Sequence, residues 1–198
     1  MGILTAFRRI FRPEVATAPF APRTVPFDSE LTFRRVAFDT DADTVCRFQR
    51  ETYETNFPGF IVDRAFLVGF RADLKRALFD PGHALFVLDR HHEPVAFLWL
   101  VTHENGWTGE RSGYINNLFV APSQRGRGLA KFLLEQTEVY YRQQGIYRIR
   151  LEVTGDNEVA VGLYRSRGYE LSRFVMELSL DANPVPSSRS FPAERRSP

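Results

Sequence analysis

One cysteine, Cys46, among 198 residues cannot close a disulfide within the chain, so a packed core has to hold the fold. No apolar stretch approaches the roughly 18 residues that a membrane-spanning helix needs. Charge of one sign is also missing. Twenty-six Lys and Arg against 24 Asp and Glu leave a formal charge of +2, which argues against nucleic acid or an anionic membrane surface as a general partner. Four histidines, His83, His91, His92 and His103, fall in or beside turn signals. His91 and His92 are too close together and too isolated for a zinc site, so no metal is expected. Methionine is scarce, two against 18 phenylalanines, so the core should be filled largely by aromatic rings. Cys46 lies on the apolar face of an expected helix and reads as a buried structural thiol.

What is present is ordinary for a globular protein with one sizeable core: 43% hydrophobic and 25% charged residues. Residues 1–30 read as an amphipathic helix followed by a proline-rich linker, 31–181 as the folded domain, and 182–198 as a disordered tail. In the first segment Ile3, Leu4, Phe7, Ile10 and Phe11 recur at helical spacing opposite Arg8, Arg9 and Arg12. Charges placed after the first apolar residues do not suit a secretory signal. A helix packed on its own domain or on the mate of a homodimer is the expectation; a weak membrane anchor through residues 1–12 is the alternative. A cytoplasmic location is expected.

Periodicity then predicts a strand at 31–36, helices at 40–55 and 63–79, and strands at 84–88, 95–101 and 112–120. A helix at 128–144, an alternating strand at 148–153, a helix from 157 to 168 and a last strand at 169–180 follow. Every residue from Val95 to Val101 is apolar, so that strand should be covered on both faces. The order β-α-α-β-β-β-α-β-α-β calls for an α/β fold with a mixed central sheet and helices on both faces.

The most informative segment joins the strand at 112–120 to the next helix. Leu118-Phe119-Val120-Ala121-Pro122 runs into Ser123-Gln124-Arg125-Gly126-Arg127-Gly128, and Leu129-Ala130 opens the helix. The first N–H groups of such a helix have no intrahelical partner and form a ready anion pocket. Gly126 and Gly128 allow close backbone approach, and Arg125 and Arg127 add positive charge. The glycine spacing fits neither a Walker loop nor a dinucleotide fingerprint.

This junction resembles the pyrophosphate signature of the GNAT superfamily of acetyl-CoA-dependent N-acyltransferases, Gln/Arg-x-x-Gly-x-Gly/Ala after a strand. A second block of that family is matched by Asn157-Glu158-Val159-Ala160-Val161-Gly162-Leu163-Tyr164-Arg165-Ser166-Arg167-Gly168-Tyr169. The resemblance covers about residues 31–180. It implies acetyl-CoA as co-substrate, held by Gln124, Arg125, Gly126, Arg127, Gly128, Leu129 and Ala130 and by the main chain of Leu118, Phe119 and Val120. It implies Tyr164 as the acid that protonates the leaving thiolate and Asn157 as a contact to the pantetheine arm or an ordered water. The acceptor would be an amine on a small molecule, peptide or protein, attacked directly in a ternary complex.

Two departures from the family pattern bear on the chemistry. Where many relatives carry an acid as general base, this chain has Asn116 and Asn117, and neither amide takes a proton. Water, a carboxylate elsewhere such as Glu51 or Glu54, or an acceptor that needs no strong base would have to serve, which tilts the expectation toward weakly basic amines. The same absence keeps a non-catalytic acyl-CoA-binding module as the alternative. Second, residues 168–180 have room for little more than one strand, so the acceptor groove is expected to be open, covered by residues 1–30 or completed by a second subunit.

Overall fold

The computed structural model describes residues 21–57 and 59–173. The helix expected over 1–12, the last strand beyond residue 173 and the tail from 182 lie outside these. The elements are β1 (Arg23–Val25), β2 (Asp28–Arg35), α1 (Phe38–Asn56), α2 (Arg64–Phe79), β3 (His83–Arg90), β4 (Glu93–Glu104), β5 (Arg111–Val120), α3 (Leu129–Gln143), β6 (Ile149–Arg150) and α4 (Glu158–Ser166). The strands form one sheet in the order β1-β2-β3-β4-β5-β6. β1 to β5 are antiparallel neighbours, and β6 joins β5 in parallel. The mixed α/β sheet with helices on both faces is therefore present.

Alternation along β4 shows why both faces are apolar. Ala96, Leu98 and Leu100 belong to one buried cluster, with Leu129, Phe132 and Leu133 of α3. Phe97 and Trp99 belong to the other, with Val45 and Phe48 of α1 and Leu74 and Ala77 of α2. A strand buried on both sides reads as continuous apolar sequence. Aromatic rings carry much of this packing: Phe33 stacks on Phe86 at 5.0 Å and Phe48 on Phe119 at 4.5 Å between centroids.

Two local readings shift. The stretch 14–29, read as linker, holds within its described part β1 and the turn into β2, because Arg23 and Thr24 find partners in Phe33 and Thr32. The strand expected at 148–153 pairs only over Ile149 and Arg150, with Gly113 and Tyr114. The reason lies in β5. Trp99 opposes Asn117 while Leu100 opposes Ile115, so Asn116 is an extra residue, a β-bulge that bends β5 away. Residues 151–153 then have no neighbour to pair with, and Val153 is exposed.

Asp41, in the first turn of α1, is buried. Its Oδ2 accepts from Ala37 N at 2.8 Å and from Arg34 at 2.6 Å, and Arg34 also binds Asp89 of β3. This buried group pins the start of α1 to β2 and β3. Cys46 is half-buried rather than sealed in the core, and burial pushes its thiol pKa up. His83 is structural: its Nδ1 accepts from Trp99 Nε1 at 2.9 Å. His91 and His92, both exposed, make the two-residue turn between β3 and β4 with φ of 51° and 68°, the left-handed backbone that such a hairpin turn requires.

Candidate active site

β5 delivers the chain to the glycine loop. After Val120, Pro122–Gln124 make one 3-10 turn, and Gly126 and Gly128 follow with φ of 76° and 79°. Gly128 is the N-cap of α3 and supplies no side-chain acceptor, so the leading N–H groups of α3 have nothing from the cap to satisfy them. A Cβ built at either glycine would meet no atom within 4 Å, which leaves the concave side of the loop open to a ligand. The pocket inferred from sequence is thus a left-handed backbone turn on an uncapped helix start, a geometry suited to phosphate oxygens.

The two arginines of the loop differ. Arg125 Nε donates to Val120 O at 3.1 Å, so this side chain ties the loop to the end of β5. Arg127 is exposed, with no ion-pair partner among the described residues, so its charge is available beside the loop. Gln124 is partly buried, with an Oε1 that no hydrogen bond reaches. Leu129 is buried at the start of α3 and Ala130 packs partly against the same core; both present backbone rather than side chain to the loop.

The edge of β5 next to β6 is open beyond Tyr114, where pairing to β6 ends. Ala121 N donates to Val95 O at 2.9 Å. In an antiparallel ladder this places the Phe119 backbone toward its partner Phe97 and turns that of Leu118 and Val120 to the open edge. Leu118 therefore offers both backbone groups there, and Val120 its N–H, its carbonyl being taken by Arg125. An extended, amide-bearing arm suits this edge as an added strand would.

α4 closes the other side. Asn157 is its N-cap, with Oδ1 accepting from Ala160 N at 3.1 Å, and its Nδ2 donates to Asn56 Oδ1 at 3.2 Å. Both ends of this amide are engaged, one in the helix start and one on α1. Tyr164 is partly buried, stacked at a tilt on Tyr169 at 5.7 Å between centroids. Burial pushes its pKa above the usual phenol value, so it stays protonated at neutral pH. No hydrogen bond to its hydroxyl forms among the described residues.

The α1 face of β5 carries contacts that sequence reading missed. Asn117 Nδ2 donates to Gln49 Oε1 of α1 at 2.6 Å, while Asn117 Oδ1 is buried without a partner. Seven residues later on α1, Asn56 meets Asn157, so α1 crosses from β5 to α4 above the parted strands. The helix advances about 100° per residue. Glu51 and Glu54 therefore stand roughly 140–160° around from Gln49, turned from this face, and the structure does not bring them to the site. Glu152 does approach it, raising the pKa of Tyr114 as the smaller cause after burial. Two surface hollows lie elsewhere. One of about 480 Å³ is lined by residues including Arg34, Arg35 and Thr40, and another of about 300 Å³ lies between α1 and α2 around Arg47, Arg50, Arg64 and Arg71. Neither touches the glycine loop or Tyr164.

The model of the acetyltransferase (GNAT) family matches residues 44–169, well over half of the chain and both motif blocks. The chain belongs to the GNAT acetyltransferase family. Among curated relatives of this GNAT protein, mycothiol acetyltransferase of Amycolatopsis mediterranei (strain U-32) is 33% identical over 102 residues, 50% of this chain and 34% of that protein. The chain thus matches about a third of that relative's length. Solved structures share the fold over most of the described region. A predicted acetyltransferase of Clostridium acetobutylicum with acetyl-CoA superposes with a TM-score of 0.64 at 16% identity, covering 76% of this chain and 96% of that one. An aminoglycoside acetyltransferase from an uncultured soil metagenomic sample gives 0.61 at 19% identity, covering 78% and 99%.

Proposed function

We propose that this GNAT protein transfers the acetyl group of acetyl-CoA to an amine of a small molecule by direct attack in a ternary complex. The observation that carries the reading is the uncapped start of α3 behind Gly126 and Gly128, set at the end of a strand whose outer edge is unpaired. Phosphates fit the loop, a pantetheine arm fits the edge at Leu118 and Val120, and the thioester would then lie in the gap between β5 and residues 151–153. Acetyl-CoA supplies an activated acyl group; the chain supplies position and charge. Mycothiol acetyltransferase, the relative above, favours a small-molecule acceptor over a protein.

The residues divide the work by place. α3 N–H groups and Arg127 hold the anionic end of the co-substrate. Backbone groups of β5 orient the thioester so that the amine approaches its carbonyl carbon from the α1 side. As the C–N bond forms and the C–S bond breaks, the amine loses one proton and the sulfur gains one. Tyr164, protonated and free to donate, gives its hydrogen to the departing sulfur and is reprotonated from solvent. Asn157 holds the start of α4, and so Tyr164, against α1.

The amides at 116 and 117 favour a second reading, an acyl-CoA-binding module without turnover. Titration calorimetry with acetyl-CoA and ATP, followed by thiol release across a panel of amines, tests both. Binding of acetyl-CoA with amine-dependent thiol release is expected. Binding without release by any amine would leave only the module, and ATP binding in preference to acetyl-CoA would overturn both readings.

A further inference from the structure

Resting on the acetyltransferase reading, we infer that the Gln49–Asn117 amide pair binds the amine end of the acceptor by hydrogen bonds and leaves its deprotonation to solvent. The pair joins the two elements that bound the acceptor side, α1 and β5, one residue from the Asn116 bulge. Both residues are partly exposed, so the pair lies at a surface a ligand can reach. Its hydrogen-bonding capacity is unspent: Gln49 Oε1 has a second lone pair and its Nε2 two hydrogens, and Asn117 Oδ1 accepts nothing. A carbonyl left unpaired in a partly buried place is costly. Asn117 Oδ1 is itself sealed from solvent, so within the pair it is the second lone pair of Gln49 Oε1 that remains for an amine N–H.

Neither amide titrates, and the titratable groups around them do not substitute for a base. On α1, Cys46 and Tyr53 flank Gln49, while Glu51 and Glu54 turn away. On β4, Trp99 lies opposite Asn117 and is bonded to His83 through the far end of its ring. On β5, Tyr114 shares the face of Asn117, and Glu152 faces Tyr114. None of these groups hydrogen-bonds to either amide. The acceptor must then arrive as free base, which selects amines of modest basicity such as α-amino groups (pKa ~8) over lysine-like ones (~10.4).

The test uses the full chain and the two best acceptors from an amine panel whose pKa values differ by at least one unit. Between pH 6 and 10, the rise of kcat/KM with pH should level off at a higher pH for the more basic acceptor. A break at one fixed pH for both would assign a base to the protein and overturn the inference. Gln49→Leu and Asn117→Leu should each raise the acceptor KM about tenfold, with the double variant no worse than either, while the acetyl-CoA Kd stays within about twofold. Gln49→Glu keeps an oxygen for Asn117 and should restore the KM while adding activity at low pH. Unchanged acceptor KM in both leucine variants would refute the pair's role. Absence of turnover with every amine would instead remove the acetyltransferase reading beneath it.

Discussion

Replacing Tyr141 by Phe isolates one hydroxyl whose work can be estimated. Tyr141 is fully buried on α3, and its Oη donates to Val101 O at 2.7 Å and accepts from Tyr114 N at 3.1 Å. Val101 and Tyr114 are register partners across β4 and β5, so the hydroxyl ties α3 to the ladder next to the bulge. The ring reaches this place because residue 113 is glycine: a Cβ there would stand 2.5 Å from the Tyr141 ring. Loss of the oxygen removes a donor to Val101 O and an acceptor for Tyr114 N, at about 0.5–1.5 kcal/mol for each net hydrogen bond. Both residues retain some exposure, and the hydroxyl no longer has to be desolvated. The net loss should be about 1–3 kcal/mol, or roughly 2–12 °C in Tm for a domain of this size. Urea unfolding at constant m, with thermal melts alongside, measures it. A loss below about 0.5 kcal/mol would mean that both backbone groups are satisfied within the ladder without the hydroxyl.

Gly126→Glu places a side chain at φ 76° and a negative charge at the phosphate loop. Acetyl-CoA binding by calorimetry should disappear while the far-UV spectrum and Tm show an intact fold, since the exposed loop carries little of the core. Tyr164→Phe should cut turnover about 10²-fold or more with the acetyl-CoA Kd within about twofold; unchanged turnover would remove Tyr164 from the reaction. Burial pushes the carboxyl of Asp41 up, but the bonds from Arg34 and from Ala37 N more than offset this and hold its pKa below the usual value. The stability it contributes is therefore complete above pH ~4 and lost as pH falls through the lowered folded value. Chemical denaturation between pH 7 and 2 should show this decline, and Asp41→Asn should flatten it while lowering stability at pH 7.

The parts of the fold legible in sequence are those set by local pattern. Asp63 caps α2 as its position suggests, accepting from Phe66 N at 2.8 Å, and Gly128 and Gly145 bound α3 with positive φ. The uninterrupted apolar run in β4 reported two covered faces because burial on both sides leaves no polar alternation to see. The short strand β1 was hidden by prolines, which mark turns and extended linkers alike and do not say whether a partner strand waits ten residues on. The candidate site was legible to the same depth: the glycine loop, Asn157 and Tyr164 lie in contiguous motifs whose spacing a helix and a turn dictate.

The contacts on the α1 face of β5 were not, and the reason is separation in sequence. Gln49 and Asn117 stand 68 residues apart, and Asn56 and Asn157 101; no periodicity links such pairs. The bulge that brings them together is one surplus residue against a partner strand, invisible until the register is known. Read alone, Asn116 and Asn117 are a missing base. In the fold, Asn116 takes up the surplus and bends β5 away from β6, and Asn117 reaches Gln49 of α1. A carboxylate at 117 would meet the Gln49 oxygen at 2.6 Å unless that amide reversed. The amide at 117 is thus matched to its partner on α1, and the departure from the family pattern belongs to a local hydrogen-bonding arrangement in which both residues must be read as one unit.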